Sequence, residues 1–344
     1  MSPDRPAVLI VGPSWVGDMV MAQSLAILVA KRRPTVAIDM LAPQWSLPII
    51  ARMPEVRRGI VLHTAHGELG FNKRRHLAAW LRPAGYEQAI VLPRSWKAAL
   101  VPWLAGIPRR TGFRGEMRFV LINDRRPFDP DVLDQTVKRF VALGLEPGET
   151  PGEIPQPGLR VDRDRQRASI ERLGLDLGRP VIAMMPGAEY GPAKCWPIEY
   201  YRELATLLAA RGYAVWVFGS ARETGQGATI AVDGQATNLC GLTTLEEAID
   251  LLAACSQAVT NDSGLMHVAA AVGSRVVALY GSSSPAFTPP LTDNKVVHYL
   301  GLDCSPCFER QCRLGHLDCL RKIRPSEVLA SIIAGEKSLR LGQK

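Results

Sequence analysis

The stretch SQAVTNDSGLMHVAAAVGSRVVALYGS, Ser256 to Ser282, holds a strand, a helix and a second strand within one short run. SQAVTND reads as a buried strand. The alanine-rich run after it reads as a helix that can pack close to a sheet, and SRVVALYGS reads as the next strand. Short, nearly continuous apolar runs separated by a helix argue for parallel strands covered on both faces. At the first junction sit Asn261, Asp262, Ser263 and Gly264, with His267 one turn inside the helix. That is much polar chemistry for one strand end.

Working outward, the same alternation fills the chain. AVLIVG (Ala7–Gly12), VAIDML (Val36–Leu41), GIVLH (Gly59–His63) and EQAIVLP (Glu87–Pro93) read as strands, and the first is followed by a helix from about Gly17 to Arg33. PVIAMMPG (Pro180–Gly187), YAVWVFGS (Tyr213–Ser220) and ATNLCG (Ala236–Gly241) form a second series with the opening stretch. The helix PIEYYRELATLLAARG, Pro197 to Gly212, has proline in its first turn and glycine at its end. Between the series lies GLEPGETPGEIPQPG, Gly144 to Gly158, with four prolines and four glycines. Neither helix nor strand tolerates that composition, so it reads as a linker. The expectation is α/β: two doubly wound Rossmann-like domains, residues 1–155 and 156–344, facing a cleft. Ligands bind such sheets outside the carboxyl ends of the strands.

Composition is that of a globular protein, 47% apolar and 22% charged. No apolar run is long enough to span a bilayer. The beginning, MSPDRPAVLIVG, reads as a polar lead into a strand rather than a signal peptide, so the expected location is cytoplasmic. The net charge of +8 is uneven: residues 1–155 carry 21 Lys and Arg against 14 Asp and Glu, leaving +1 for the remainder. The excess comes from NKRRH (Asn72–His76), Arg94, Lys97, Arg109, Arg110, Arg114, Arg118, Arg125 and Arg126. Such a field attracts a polyanion, be it nucleic acid, anionic membrane or a phosphorylated substrate.

Three strand ends of the second series carry unusual residues. PGAEYGPAKCWP, Pro186 to Pro197, is glycine-rich, and Lys194 is its one cation, which suits a phosphate. In FGSARE, Phe218 to Glu223, Gly219 and Ser220 leave room and a donor. Glu223 there either accepts from sugar hydroxyls or merely serves a helix N-terminus. Asp262 and Ser263 are equally open to reading as an ordinary N-cap. The first-turn N–H groups beside them also form an anion site, and Gly264 leaves it unblocked. His267 points along the same edge. Together these residues describe a nucleotide-diphosphate pocket.

Two motifs are excluded. GPSWVGD, Gly12 to Asp18, begins like a phosphate-binding loop but has Asp18 where lysine belongs. No G-x-G-x-x-G follows a strand. Asp18, at the start of the first helix, is then either a helix-dipole carboxylate or a general base for an acceptor hydroxyl.

These stretches, with LYGSSSPAFTPP (Leu279–Pro290), resemble the lipopolysaccharide heptosyltransferases of glycosyltransferase family nine. The resemblance runs nearly the full chain with the motifs in order. It implies the glycosyltransferase-B architecture, with an N-terminal domain for a lipid-linked acceptor and a C-terminal domain for ADP-heptose. It implies an inverting single displacement with Asp18 as base and Lys194 neutralising the diphosphate. Donor binding falls to Lys194, Gly219, Ser220, Glu223, Leu242 near the adenine, Asp262, Ser263, Gly264 and His267. Acceptor contacts are expected among Trp15, Gly17, Lys73, Arg74, Arg94, Lys97 and Arg114. The acceptor would be anionic inner core displayed at the cytoplasmic face of the inner membrane, which makes the enzyme peripheral and accounts for the basic half without nucleic acid. The implied chemistry needs no cofactor, since lysine and a helix dipole meet the leaving charge.

Cys304, Cys307, Cys312 and Cys319 resemble a cysteine-rich segment of the type whose acceptor already carries one heptose. Their spacing, C-x2-C-x4-C-x6-C, fits no zinc template well, and zinc, a reduced cluster and an acceptor-side loop all stay open. So do two other readings of the whole: a transferase using another inner-core acceptor, or a non-catalytic nucleotide-sugar binding protein.

Overall fold

The computed structural model describes residues 6–64 and 68–341, so the polar lead Met1–Arg5 lies outside the described residues. The chain divides into two compact units, Met1–Leu159 and Arg160–Lys344. Each is built on a six-stranded parallel sheet.

In the first unit the strands are β1 (Ala7–Val11), β2 (Ala37–Ala42), β3 (Val56–Val61), β4 (Tyr86–Val91), β5 (Arg109–Phe113) and β6 (Asp124–Arg126), in the spatial order β3-β2-β1-β4-β5-β6. In the second they are β7 (Val181–Met185), β8 (Ala214–Val217), β9 (Thr237–Asn238), β10 (Gln257–Asn261), β11 (Arg275–Tyr280) and β12 (Lys295–Tyr299), in the order β12-β11-β10-β7-β8-β9. The order reverses between β1 and β4 in one sheet and between β7 and β10 in the other. A ligand crevice opens at that switch point in doubly wound sheets.

The central strands are buried on both faces: every residue of β1, β7, β10 and β11 is buried. Removing a side chain such as Leu9 or Ile10 from water stabilises the fold by about 1.5–3 kcal/mol. Polar β2 residue Asp39 is also fully buried. It is met by Arg57, by Arg58 and by the Tyr86 hydroxyl at 2.5 Å. Burial, seconded by that hydrogen bond, pushes the Tyr86 phenol up to about 12.

β5, β6 and β12 escape the sequence reading. β5 and β6 contain the two Arg-Arg pairs, whose charge disguises them. Their arginines are largely spent inside the unit. Arg109 and Arg126 both pair with Asp124, and Arg126 also donates to the Leu145 carbonyl. Arg110 donates to the carbonyls of Ile107 and Leu121. The basic field of the first unit is therefore narrower than its composition suggests.

The proline-rich stretch is irregular, as its composition requires, but it is not loose. Ser24 donates to the Pro155 carbonyl at 2.7 Å. Gln23 donates to the Gly158 carbonyl and accepts from the Gly158 N–H. Both belong to the helix Val16–Arg32, so the stretch is tied to the first unit as far as Leu159.

Candidate functional site

At the carboxyl end of β7 the chain crosses Pro186–Gly191 and enters a short 3-10 turn, Pro192–Lys194. At the carboxyl end of β10 it turns through Asp262 and Ser263 into the helix Gly264–Ala271. The two ends meet through Lys194, whose ammonium lies 2.5 Å from Asp262 Oδ2. Lys194 also sits 5.1 Å from the centre of the Tyr190 ring. Thr288 donates to both Asp262 oxygens, at 3.3 and 3.4 Å. Asp262 is thus committed to Lys194 and Thr288, not to capping.

Ser263 does not cap either. Its backbone is extended, its hydroxyl makes no capping bond, and it lies 3.4 Å from the Thr260 hydroxyl. The first-turn N–H groups of this helix carry no side-chain cap, which is what an anion site requires.

His267, on that helix, is buried, and burial pushes its imidazole down to about 4, against the pull of Asp262. It is neutral at pH 7. Its Nδ1 has no hydrogen-bond partner among the described residues, and the same holds for the buried hydroxyls of Ser282 and Ser283 after β11.

Asn261 is the fastener of the site. Its Oδ1 accepts from the Trp196 N–H at 2.9 Å and from the Tyr201 hydroxyl at 3.2 Å, while its amide donates to the Pro186 carbonyl at 2.6 Å. One buried amide thereby holds β10 to both ends of the Lys194 segment. The cysteine-rich segment holds that segment from outside. Ala193 N–H donates to the Arg310 carbonyl and Tyr190 hydroxyl to the Phe308 carbonyl. A side chain at Gly191, where φ is +155°, would lie 2.5 Å from the Arg310 oxygen, so only glycine fits there.

Glu223 closes a capping box: its Oε2 accepts from the Ser220 N–H at 2.7 Å and the Ser220 hydroxyl at 2.5 Å. The helix-terminal role weighed from sequence is therefore occupied. The carboxylate still borders the site, because a Cβ on Gly187 would lie 2.9 Å from its Cγ. Burial, with Glu223 nearby, pushes the Cys240 thiol up to about 12 and the Cys195 thiol upward. Gly219 must be glycine, since a Cβ would meet Glu223 and Cys240 within 3 Å. The Gly241 N–H donates to the Gly219 carbonyl, which sets exposed Leu242 beside this loop. Lys194, Gly219, Ser220, Glu223, Leu242, Asp262, Ser263, Gly264 and His267 thus share one sheet edge.

In the first unit Asp18 is half-buried in the first turn of the helix Val16–Arg32, after exposed Trp15 and buried Gly17. Arg94, Lys97 and Arg114 lie on the loops and helix after β4 and β5, with Arg94 and Arg114 exposed. Lys73 pairs with Glu68. Arg74 corrects the sequence reading: it is buried and donates to the carbonyls of Leu69 and Lys97, so it ties helix Phe71–Leu81 to helix Trp96–Leu104 and does not face an acceptor.

The four clustered cysteines are all free thiols. Burial, then the charges of Cys304, Cys312 and Cys307, push the Cys319 thiol up to about 11, so the four share a neighbourhood. Among the described residues, no three His, Cys, Asp or Glu side chains are arranged to hold a metal ion. A cavity of about 430 Å³ opens at the other end of the first sheet, by Arg33, Gln88 and Arg109 at the amino ends of β4 and β5. It lies away from the ligand edge.

Asn261 and Thr288 are the partners that sequence reasoning did not assign. Thr288 lies 26 positions from Asp262. Only the parallel pairing of β10 with β11 makes the loops after those strands neighbours.

Residues 74–318 match the family model "Glycosyltransferase family 9 (heptosyltransferase)". The chain is 44% identical over 339 residues to lipopolysaccharide heptosyltransferase 2 of Escherichia coli K12, covering 95% of this chain and 97% of that one. It is 44% identical to lipooligosaccharide heptosyltransferase 2 of Haemophilus influenzae, over 84% of this chain and 87% of the relative. The solved structure of E. coli ADP-heptose lps heptosyltransferase II superimposes with a TM-score of 0.88 at 41% identity, over 97% of this chain and 99% of that chain.

Proposed function

The chain belongs to glycosyltransferase family 9, the heptosyltransferases, and from that premise we propose that it transfers heptose from ADP-L-glycero-D-manno-heptose to the first heptose of the lipopolysaccharide inner core. The observation that carries the reading is the Lys194–Asp262 pair at an uncapped helix N-terminus on the switch-point edge of a Rossmann-like sheet. It is supported by full-length similarity to relatives named for that activity.

The reaction is a single displacement with inversion. Asp18 takes the proton from the acceptor hydroxyl as its oxygen bonds to the anomeric carbon. The bond from that carbon to the diphosphate breaks, and the electron pair leaves with ADP. Charge then builds on the β-phosphate oxygens. Lys194 and the first-turn N–H groups of the helix Gly264–Ala271 meet it. Asp262 and Thr288 aim Lys194 and keep it extended. Neutral His267 contributes a hydrogen bond rather than a charge. Glu223 keeps one oxygen on Ser220 and offers the other to a sugar hydroxyl, and Leu242 flanks the adenine.

The first unit takes the acceptor, with Trp15, Gly17, Arg94, Lys97 and Arg114 around Asp18. The acceptor is lipid-linked and anionic, so the enzyme works at the inner membrane's cytoplasmic face as a peripheral protein. Among the described residues, no helix is long and apolar enough to cross a membrane.

The test is release of ADP from ADP-heptose with acceptor carrying one heptose, beside acceptors carrying none or two. Turnover confined to the one-heptose acceptor is expected. Folded protein that binds ADP but transfers only to another acceptor would replace the acceptor assignment.

A further inference from the structure

The first unit displays an apolar tip that the transfer chemistry does not use. In the loop between β5 and β6, Met117, Phe119 and Val120 are 87%, 59% and 72% exposed. Contiguous apolar side chains in water carry a cost that soluble surfaces generally avoid. The loop is nevertheless firmly built. Arg118, between the exposed residues, is 3% exposed and donates to the carbonyls of Pro93, Ser95 and Phe113. Glu116 accepts from the Trp96 N–H at 2.8 Å and so caps the preceding helix, Trp96–Leu104. Glu116 and Met117 both take left-handed backbone, at φ of 43° and 48°. Non-glycine residues do so only where the surroundings hold them. Two anchored polar side chains and two strained residues hold three apolar ones out into solvent.

Cations surround the tip. Arg125 stands over the Phe119 ring at 5.7 Å, and Arg94 lies within 4 Å of where a Gly115 side chain would begin. Exposed Trp96 and neighbouring Lys97 open the helix that Glu116 caps, and exposed Arg114 begins the loop. The one carboxylate in the loop, Glu116, is engaged by the Trp96 N–H. An apolar tip with tryptophan at its base and a basic collar matches the interface of an anionic bilayer, with acyl chains for the tip and headgroups for the collar.

We propose that the 114–121 loop with the first turn of the helix Trp96–Leu104 is the surface by which this chain sits on an anionic lipid bilayer. The proposal rests on the reading of the acceptor as lipid-linked. It is tested without donor or acceptor, so failure of the transfer assay leaves its outcome standing.

The full chain is sedimented with vesicles of phosphatidylcholine alone or mixed with phosphatidylglycerol, at low and high salt. Wild type is expected to partition to the anionic vesicles, less so at high salt. Met117→Ser/Phe119→Ser/Val120→Ser is expected to lose roughly tenfold or more of that partitioning. A control, Leu177→Ser/Val232→Ser, removes exposed apolar residues of the second unit and is expected to bind as wild type. ADP affinity, measured for each variant, reports folding and is expected to stay unchanged. Equal binding by wild type and loop variant, or equal loss in loop variant and control, overturns the proposal. So does sedimentation of wild type with neutral vesicles as readily as with anionic ones.

Discussion

The carboxyl edge of the second sheet and that of the first rest on the same strand order but are furnished in opposite ways. In the second unit the edge centres on polar groups bonded to one another: Lys194 on Asp262, Thr288 on Asp262, Asn261 on three backbone and hydroxyl partners. In the first it holds half-buried Asp18 and exposed arginines and tryptophans. A small, charged ligand with one geometry suits the former. A large, variable, anionic one suits the latter. A shared topology supplies a place for chemistry, and the residues at the strand ends decide which chemistry it is.

The sharpest way to break this contrast is at Asp18. Asp18→Ala is expected to lower kcat for transfer by roughly 10²–10⁴-fold, the usual worth of a general base, with ADP affinity unchanged. Weakened ADP binding in this variant would move Asp18 out of the acceptor side. Lys194→Ala is expected to cost roughly 10²–10³-fold in kcat, as for loss of a preorganised charge donor, and to weaken ADP binding as well. Steady-state kinetics beside calorimetry separates the two patterns.

Asp18 and Lys194 stand out in the sequence because each breaks a local rule: a carboxylate in what begins as a phosphate loop, a lone cation in a glycine-rich turn. The central strands were legible for a related reason, since buried parallel strands leave continuous apolar runs. β5, β6 and β12 were not: β6 and β12 are edge strands and bury less, and in β5 and β6 arginines answered by Asp124 and by main-chain carbonyls replace apolar side chains. Arg74 misled for the same reason. A cation spent on buried carbonyls and one facing solvent read alike in a string of residues. Asn261 stood in plain view at the junction, yet its partners lie 60 to 75 positions away, at a distance no local pattern reaches.

Structural roles give smaller effects. Asn261→Ala leaves the Trp196 N–H and the Pro186 carbonyl without their partner and is expected to cost about 1–3 kcal/mol in urea unfolding. Arg74→Met is expected to cost stability of similar or smaller size while leaving the acceptor KM unchanged. A raised acceptor KM would restore Arg74 to the binding surface.

The last expected effect concerns acidity. His267 titrates near 4 when folded and at about 6.5 when exposed. Between those values the unfolded chain binds the proton and the folded chain does not, so stability falls as pH drops through that window. Urea midpoints measured from pH 7 down to pH 4 are expected to decline less steeply in His267→Gln than in wild type. Parallel declines would show that the imidazole does not drive the loss.

The ion pair at the site also bears on the release of product. A lysine that met the diphosphate alone would hold the spent nucleotide as firmly as the donor, and slow release would throttle turnover. With Asp262 at 2.5 Å, Lys194 has a resident counter-ion to return to. With Lys194 on the diphosphate as proposed, nucleotide binding is an exchange of one anion for another rather than the neutralisation of a bare charge. A weaker hold on the leaving ADP and a faster off-rate are then the expected consequence.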